Sequence, residues 1–175
     1  MTSEAAAPGA LTTAGASQTR QRVGRYEFAP HNCFACGQLN VSGLQLRLHA
    51  DEGSCWTDIA LPHRFEGWDE IAHGGVVSAI LDEVMAWSLI AQDRLGFTAR
   101  LQVDFRRPVP IERKIRATGW ITDRRRRRFD TAARLTDSIT GEVLAEATAI
   151  YLAAPAAQEA QMRGRYGIRI VEEQR

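Results

Sequence analysis

Apolar and polar positions alternate along most of this chain, and one long stretch in the middle breaks that habit by being apolar almost throughout. From Gly43 the pattern has period two: Leu44, Leu46 and Leu48 alternate with Gln45, Arg47 and His49, which predicts a half-buried strand. Asp51-Glu52-Gly53 is a hairpin signal, residues 54–61 predict the returning strand, and residues 62–72 read as a loop around Gly67. Between His73 and Gly96, apolar residues fall on nearly every helical face, including Val76, Val77, Ile80, Leu81, Val84 and Trp87. Such a segment predicts a buried helix of about 22 residues, about 33 Å long, with Gly96 at its C-terminal cap. Alternation then resumes. Leu101, Val103 and Phe105 share one face of a strand over 98–107, ended by Pro108 and Pro110. Strands over 111–122, 129–137 and 143–152 follow, separated by a basic turn at 124–128 and a Thr140-Gly141-Glu142 turn. The order ββαββββ predicts an α+β fold, an antiparallel β-sheet wrapped around one long central helix.

A chain of 175 residues is long enough to bury a core without disulfides or metals. We place its domain at 26–154, between an Ala/Thr/Ser/Gly-rich tail over 1–25 and a polar segment over 155–175. That last segment allows a helix and a short extended end at 167–171. A net charge of +1 excludes a global polyanion-binding surface, so nucleic acid is not an expected partner and any basic site is local. Asp82 and Glu83 interrupt the only apolar run approaching a membrane span, so no membrane is expected either. The N-terminus lacks a basic region ahead of its apolar residues and carries Glu4, and three cysteines make no disulfide framework. A cytoplasmic location is expected.

The chemistry starts from Asp82 and Glu83. A carboxylate in apolar surroundings is costly unless paired or neutralised, so an acid in the middle of this helix implies a task. At the helix start, Gly74 and Gly75 let another group approach the backbone, and first-turn N–H groups with no intrahelical partner can receive an anion or a developing oxyanion. Residues three, four and seven apart share a helix face. Gly75, Ser78, Asp82 and Leu89 then line one side, and Val77, Ile80, Val84 and Trp87 line the opposite side, toward the sheet. Asp82 is expected to point away from its own sheet, with Ser78 donating a hydrogen bond to it. Glu83 is the second choice of acid.

His73-Gly74-Gly75, then Asp82, then Phe105-Arg106-Arg107-Pro108, preceded by Cys33-Phe34-Ala35-Cys36-Gly37 with Asn40 and Gly43-Leu44, resembles the hotdog-fold acyl-CoA thioesterases. The nearest subgroup is the PaaI-like and 4-hydroxybenzoyl-CoA thioesterase branch, and the resemblance runs over about residues 31–153. It implies hydrolysis of an acyl-CoA thioester by a homo-oligomer, a dimer or a dimer of dimers. Asp82 would be nucleophile or base, a glycine N–H of Gly74 or Gly75 next to His73 would polarise the carbonyl, and Thr98 on the following strand would help place the water. No cofactor is implied beyond the coenzyme A of the substrate, and no metal. Many relatives carry an Asn or Gln shortly before the histidine. Here that loop reads Gly67-Trp68-Asp69-Glu70 and offers no carboxamide.

Residues 124–128 are five consecutive arginines, read either as a solvated hairpin end or as a phosphate site. In the second reading Arg124, Arg125 and Arg126, with Arg106 and Arg107, hold the coenzyme A phosphates through bidentate guanidinium contacts. Ser78 and Trp68 are placed on the substrate, with Trp87 and Met85 shaping the acyl end. Cys33-x-x-Cys36 lacks a second ligand pair of suitable spacing among His31, His49, Cys55 and His63, so packed reduced thiols are expected. Two rival functions share the fold. A hydratase or dehydratase would need a catalytic histidine, His63 or His73. A non-catalytic acyl-CoA-binding module would bind ligand without releasing thiol.

Overall fold

The computed structural model describes residues 23–172; the tail read over 1–22 and residues 173–175 lie outside the described residues. Strand β1 (Gly24–Glu27) is followed by an irregular leader loop, then by the hairpin of β2 (His49–Asp51) and β3 (Ser54–Ala60). A 3-10 turn (His63–Phe65) and a small hairpin, β4 (Glu66–Trp68) with β5 (Ile71–Ala72), lead into α1 (Gly74–Ala91). Four long elements come next: β6 (Gly96–Phe105), β7 (Lys114–Arg125), β8 (Arg128–Asp137) and β9 (Val143–Ala153). Helix α2 (Ala156–Tyr166) and β10 (Arg169–Val171) close the described chain. Eight strands form one sheet in the order β10-β1-β2-β3-β7-β8-β9-β6, and every pairing in it is antiparallel. The sheet wraps around α1, as the alternation and the apolar segment predict.

α1 is the core. Val77, Ile80, Leu81, Val84, Met85 and Leu89 are all buried, which explains why the segment is apolar enough, by length and composition alone, to resemble a membrane span. Leu89 is therefore not on the open side that the helical spacing assigns to it. Helix and sheet backbones meet closely at Gly119 of β7, where a Cβ would stand 2.6 Å from the carbonyl carbon of Val84 and 2.7 Å from the Met85 nitrogen. Only glycine allows backbone to meet backbone this closely.

The helix is shorter than its apolar pattern suggests. It stops at Ala91 because Asp93 takes a left-handed conformation (φ 58°), with its N–H on the carbonyl of Ile90 and that of Arg94 on Leu89. This is a Schellman ending built on aspartate instead of glycine. Gly96, expected as the cap, is instead the first residue of β6. Leu44, Leu46 and Leu48 are buried alternately as predicted, but they form no strand. Gln45 has φ 51°, and Leu44 and Leu46 donate to the carbonyls of Phe34 and Ala35 in the leader loop, so the segment is stitched to a loop and not to a neighbouring strand. The Asp51–Ser54 hairpin is as expected, with Glu52 and Gly53 both at positive φ.

Beyond residue 154 the chain stays attached to the domain. Glu159 of α2 accepts from the Leu95 N–H at 3.1 Å, and β10 pairs with β1 in the register Arg25↔Val171. Gly24 and Arg25, assigned to the N-terminal tail, belong to the sheet.

Candidate functional site

β6 is the outer strand of the sheet, and its side chains pack against α1. Thr98 of β6 and Tyr151 of β9 are cross-strand partners. A one-residue bulge at Ala99 lets Thr98 share the helix-facing side with Leu101, Val103 and Phe105, which strict alternation would forbid. Both hydroxyls converge on Asp82, so its carboxylate faces the β6–β9 end of its own sheet and does not point away from it as the helical spacing predicts. Thr98 Oγ1 donates to Oδ1 at 2.9 Å, and Tyr151 Oη lies 2.6 Å from Oδ1 and 2.7 Å from the Asp82 carbonyl oxygen. A phenol has one proton, so Tyr151 donates to one of these oxygens at a time. Burial and the Asp82 carboxylate push the Tyr151 phenol far above its ordinary range, so it remains a donor. Asp82 itself is half-buried. This arrangement anchors one carboxylate oxygen with two hydroxyls and leaves the other for chemistry.

The helix start differs from expectation in two respects. His73 is the N-cap, and its Nδ1 accepts from the Gly75 N–H at 3.0 Å, which ties up that amide and puts the ring proton on Nε2. The Gly74 N–H has no protein partner among the described residues. Ser78 does not donate to Asp82; its hydroxyl bonds back to the Gly74 carbonyl at 2.9 Å, satisfying a nearer acceptor. A Cβ on Gly74 would meet the Phe105 ring at 3.3 Å, so β6 also walls this end of the helix. Gly74 and Asp82 are eight residues apart, about 12 Å along the helix axis at 1.5 Å per residue.

Glu83 turns to a different side. Trp87 Nε1 donates to its Oε1 at 2.7 Å, and burial, reinforced by nearby Cys33, pushes the carboxyl up to about 7. It borders a pocket of about 210 Å³ shared with Phe28, His31, Trp87, Met162 and Tyr166. Cys33 and Cys36 border the same pocket. The neighbouring Cys36 holds the Cys33 thiol down to about 5, and Cys33 together with burial leaves Cys36 well above the ordinary thiol range.

The arginines are mostly occupied. Arg106 pairs with Glu146 at 3.1 Å and Arg107 with Glu142 at 3.0 Å. In the basic run, Arg124 lies over the Phe129 ring, Arg125 bonds Asp123 at 2.7 Å, and Arg126 forms the tip of the β7–β8 turn at φ 52°. The structure therefore does not gather these five residues into one phosphate cradle. Arg100 and Arg128 do share a groove of about 350 Å³ on the outer side of the sheet, although Arg128 is paired with Asp130. Trp68 stands 81% exposed on the β4–β5 hairpin, outside any enclosed pocket described here. His63 is bonded to Glu66 at 2.8 Å in the 3-10 turn. Tyr151 escapes a reading of the sequence because it is one more apolar-side residue of an alternating strand. Its position across from Thr98 is the only signal, and that depends on the bulge.

Residues 70–144 match the family model described as the thioesterase superfamily. No curated protein sequence matches the chain. Among solved structures, a thioesterase superfamily protein superimposes with a TM-score of 0.65 at 23% identity, covering 69% of this chain and 60% of its own length. The PaaI protein of the E. coli phenylacetic acid degradation operon gives 0.59 at 14% identity, covering 63% of this chain and 80% of that one. An acyl-CoA hydrolase of Staphylococcus aureus, solved with butyryl coenzyme A, gives 0.57 at 15% identity, covering 61% and 66%. At these identities the likeness is one of fold, and the fold is the hotdog.

Proposed function

We propose that this chain, whose residues 70–144 match the thioesterase superfamily model, hydrolyses an acyl-CoA thioester with Asp82 as its catalytic acid. The observation that carries the reading is the Asp82 carboxylate, pinned at Oδ1 by Thr98 and Tyr151 at the β6 border of its own sheet. The free oxygen attacks the thioester carbonyl or takes a proton from the attacking water. Negative charge then develops on the carbonyl oxygen, where a fixed N–H is worth about 10²–10³ in rate, and the unpartnered Gly74 amide at the positive end of α1 suits it.

One chain does not supply both groups to one substrate. A reacting carbon must lie within about 3–3.5 Å of the acid, with its oxygen on the donor, and about 12 Å separates the two along α1. Asp82 of one copy therefore works with Gly74 of another. The bare β6 edge, with Phe97 and Phe105 exposed beside it, supports a homodimer formed there. Coenzyme A lies along its rim. The concave Arg100–Arg128 groove is the phosphate cradle.

The test is free-thiol release across a panel of acyl-CoAs varying in chain length and aromatic character. Asp82→Asn folds normally and loses at least about two orders of magnitude in kcat; full activity in that variant defeats the assignment. Gly74→Pro removes the amide proton while keeping a backbone suited to the first helical position, and is expected to lose about as much. Refolding the two dead variants together restores about a quarter of wild-type activity, because half the dimers are mixed and each holds one intact site. No recovery on mixing sinks the shared site. Single turnover in heavy-oxygen water that places label in Asp82 marks direct attack through an Asp–acyl anhydride opened at the Asp82 carbonyl.

A further inference from the structure

The leader loop does something that its sequence spacing hides. Cys33-Phe34-Ala35-Cys36-Gly37 folds into a tight knuckle, with the Gly37 N–H on the Cys33 carbonyl at 3.0 Å. A Cβ on Gly37 would stand 2.4 Å from the Cys33 nitrogen and 2.5 Å from the His31 carbonyl oxygen, so the turn closes only around glycine. Both sulfurs and a ring nitrogen of His31 then lie within 4.8 Å of one another. His31 is not there by accident of packing. Its Nδ1 lies 3.1 Å from the Ala29 carbonyl, which can only accept, so Nδ1 carries the proton and Nε2 presents a lone pair. That lone pair faces Cys36 Sγ at 3.5 Å. Edge-on contacts with Phe28 and Tyr166, at centroid distances of 5.2 and 5.1 Å, hold the ring in this orientation.

We propose that His31 Nε2, Cys33 Sγ and Cys36 Sγ bind a zinc ion, with the Glu83 carboxylate, which stands outside the 4.8 Å cluster of those three atoms, turning in as fourth ligand. The separations fit the ion. Tetrahedral Zn–S and Zn–N bonds of about 2.3 and 2.05 Å place sulfur and nitrogen about 3.5 Å apart, which is the Cys36–His31 distance. Two thiolates with an imidazole form a soft set that selects zinc over magnesium or calcium. Glu83 lies beside Cys36 in the same pocket, and its Oε1 is held by the Trp87 indole N–H at 2.7 Å, which orients the carboxylate as a second-shell donor orients a ligand. The carbonyl of Ala29 does the same for His31. The search for a second ligand pair in the sequence fails because the remaining ligands are not a pair: one precedes the knuckle by two residues and the other arrives from α1.

The ion staples the leader loop to α1 at the residue next to Asp82, so its chemistry is structural. It is read without any assay of turnover. Chain purified under reducing conditions and stripped of metal is titrated with Co²⁺ and then Zn²⁺. The expected result is about one equivalent bound, thiolate-to-cobalt charge-transfer bands that zinc abolishes, and a rise in Tm on zinc binding. Cys33→Ser and His31→Ala lose the bands, and Glu83→Gln weakens binding about 10–100-fold. X-ray absorption at the zinc edge of the wild-type protein, which needs no variant to fold, shows two sulfurs at about 2.3 Å. The proposal is overturned if the reduced chain takes up no stoichiometric zinc. It is equally overturned if the ion is ringed only by oxygen and nitrogen, which would place it on the exposed His63–Glu66–Glu70 group.

Discussion

Asp82 and Glu83 are neighbours with opposite fates, because a 100° turn of the helix separates a surface lined by hydroxyls from a pocket lined by sulfur and indole. The hydroxyls belong to Thr98 and Tyr151, and each is separable from the fold. Tyr151→Phe keeps the buried ring and loses only the hydroxyl with its 2.6 and 2.7 Å contacts to Asp82, so kcat for thiol release is expected to fall about tenfold with Tm nearly unchanged. Thr98→Val is expected to behave alike, and the double variant to lose less than the product of the two, because both donors serve one oxygen. At Gly119 the expectation concerns stability alone. An added methyl there meets helix backbone below 3 Å on several atoms, and backbone cannot swing aside as a side chain can. Gly119→Ala should cost about 1–3 kcal/mol or more in urea unfolding, whereas Gly141→Ala, open but at φ 73°, should cost about 1 kcal/mol.

At the scale of elements, most of the architecture is legible from period alone. The apolar helix, the strands after it, the Asp51–Ser54 hairpin and the Gly141 turn all stand where alternation and turn residues put them. What escapes is tertiary. The leucines at 44, 46 and 48 alternate like a strand yet donate to a loop. The β4–β5 hairpin is too short to carry a period, and the bulge at Ala99 leaves no mark in composition. Asp82 was findable because a charge in an apolar rod conflicts with burial. Tyr151 was not, because nothing local distinguishes it from a core tyrosine. The basic run misleads for a physical reason: adjacent aspartates at 123 and 130 absorb much of its charge.

The pairing of β3 with β7 is also guarded by charge. Asp58 accepts from Arg116 at 2.7 and 2.8 Å and from Lys114 at 3.1 Å, and these cations hold its carboxyl below the usual range. A carboxylate depressed in the folded state stabilises above its unfolded pKa, and that stabilisation is lost as pH falls through the folded value. Wild-type stability should therefore drop more steeply than that of Asp58→Asn below about pH 4, the two curves converging in acid. At pH 7 the difference is expected to be about 1 kcal/mol, modest because the cations are half-exposed. Parallel curves across the whole range would show that the pair contributes nothing.

For the whole molecule, the contact between β1 and β10 has a consequence for how the chain is threaded. Val23 and Glu172 lie at adjacent ends of one antiparallel pair, so in a chain with residues 1–22 and 173–175 deleted they can be joined by a short peptide without disturbing either strand. New ends can then be opened at Ile139–Thr140, where Ile139 is 78% exposed. Such a circularly permuted protein keeps every pairing of the sheet while making the hairpin strands β8 and β9 its last and first elements. If it melts at the temperature of the parent, the order of synthesis is immaterial to the final shape, and the old termini become a place where another domain can be inserted in line.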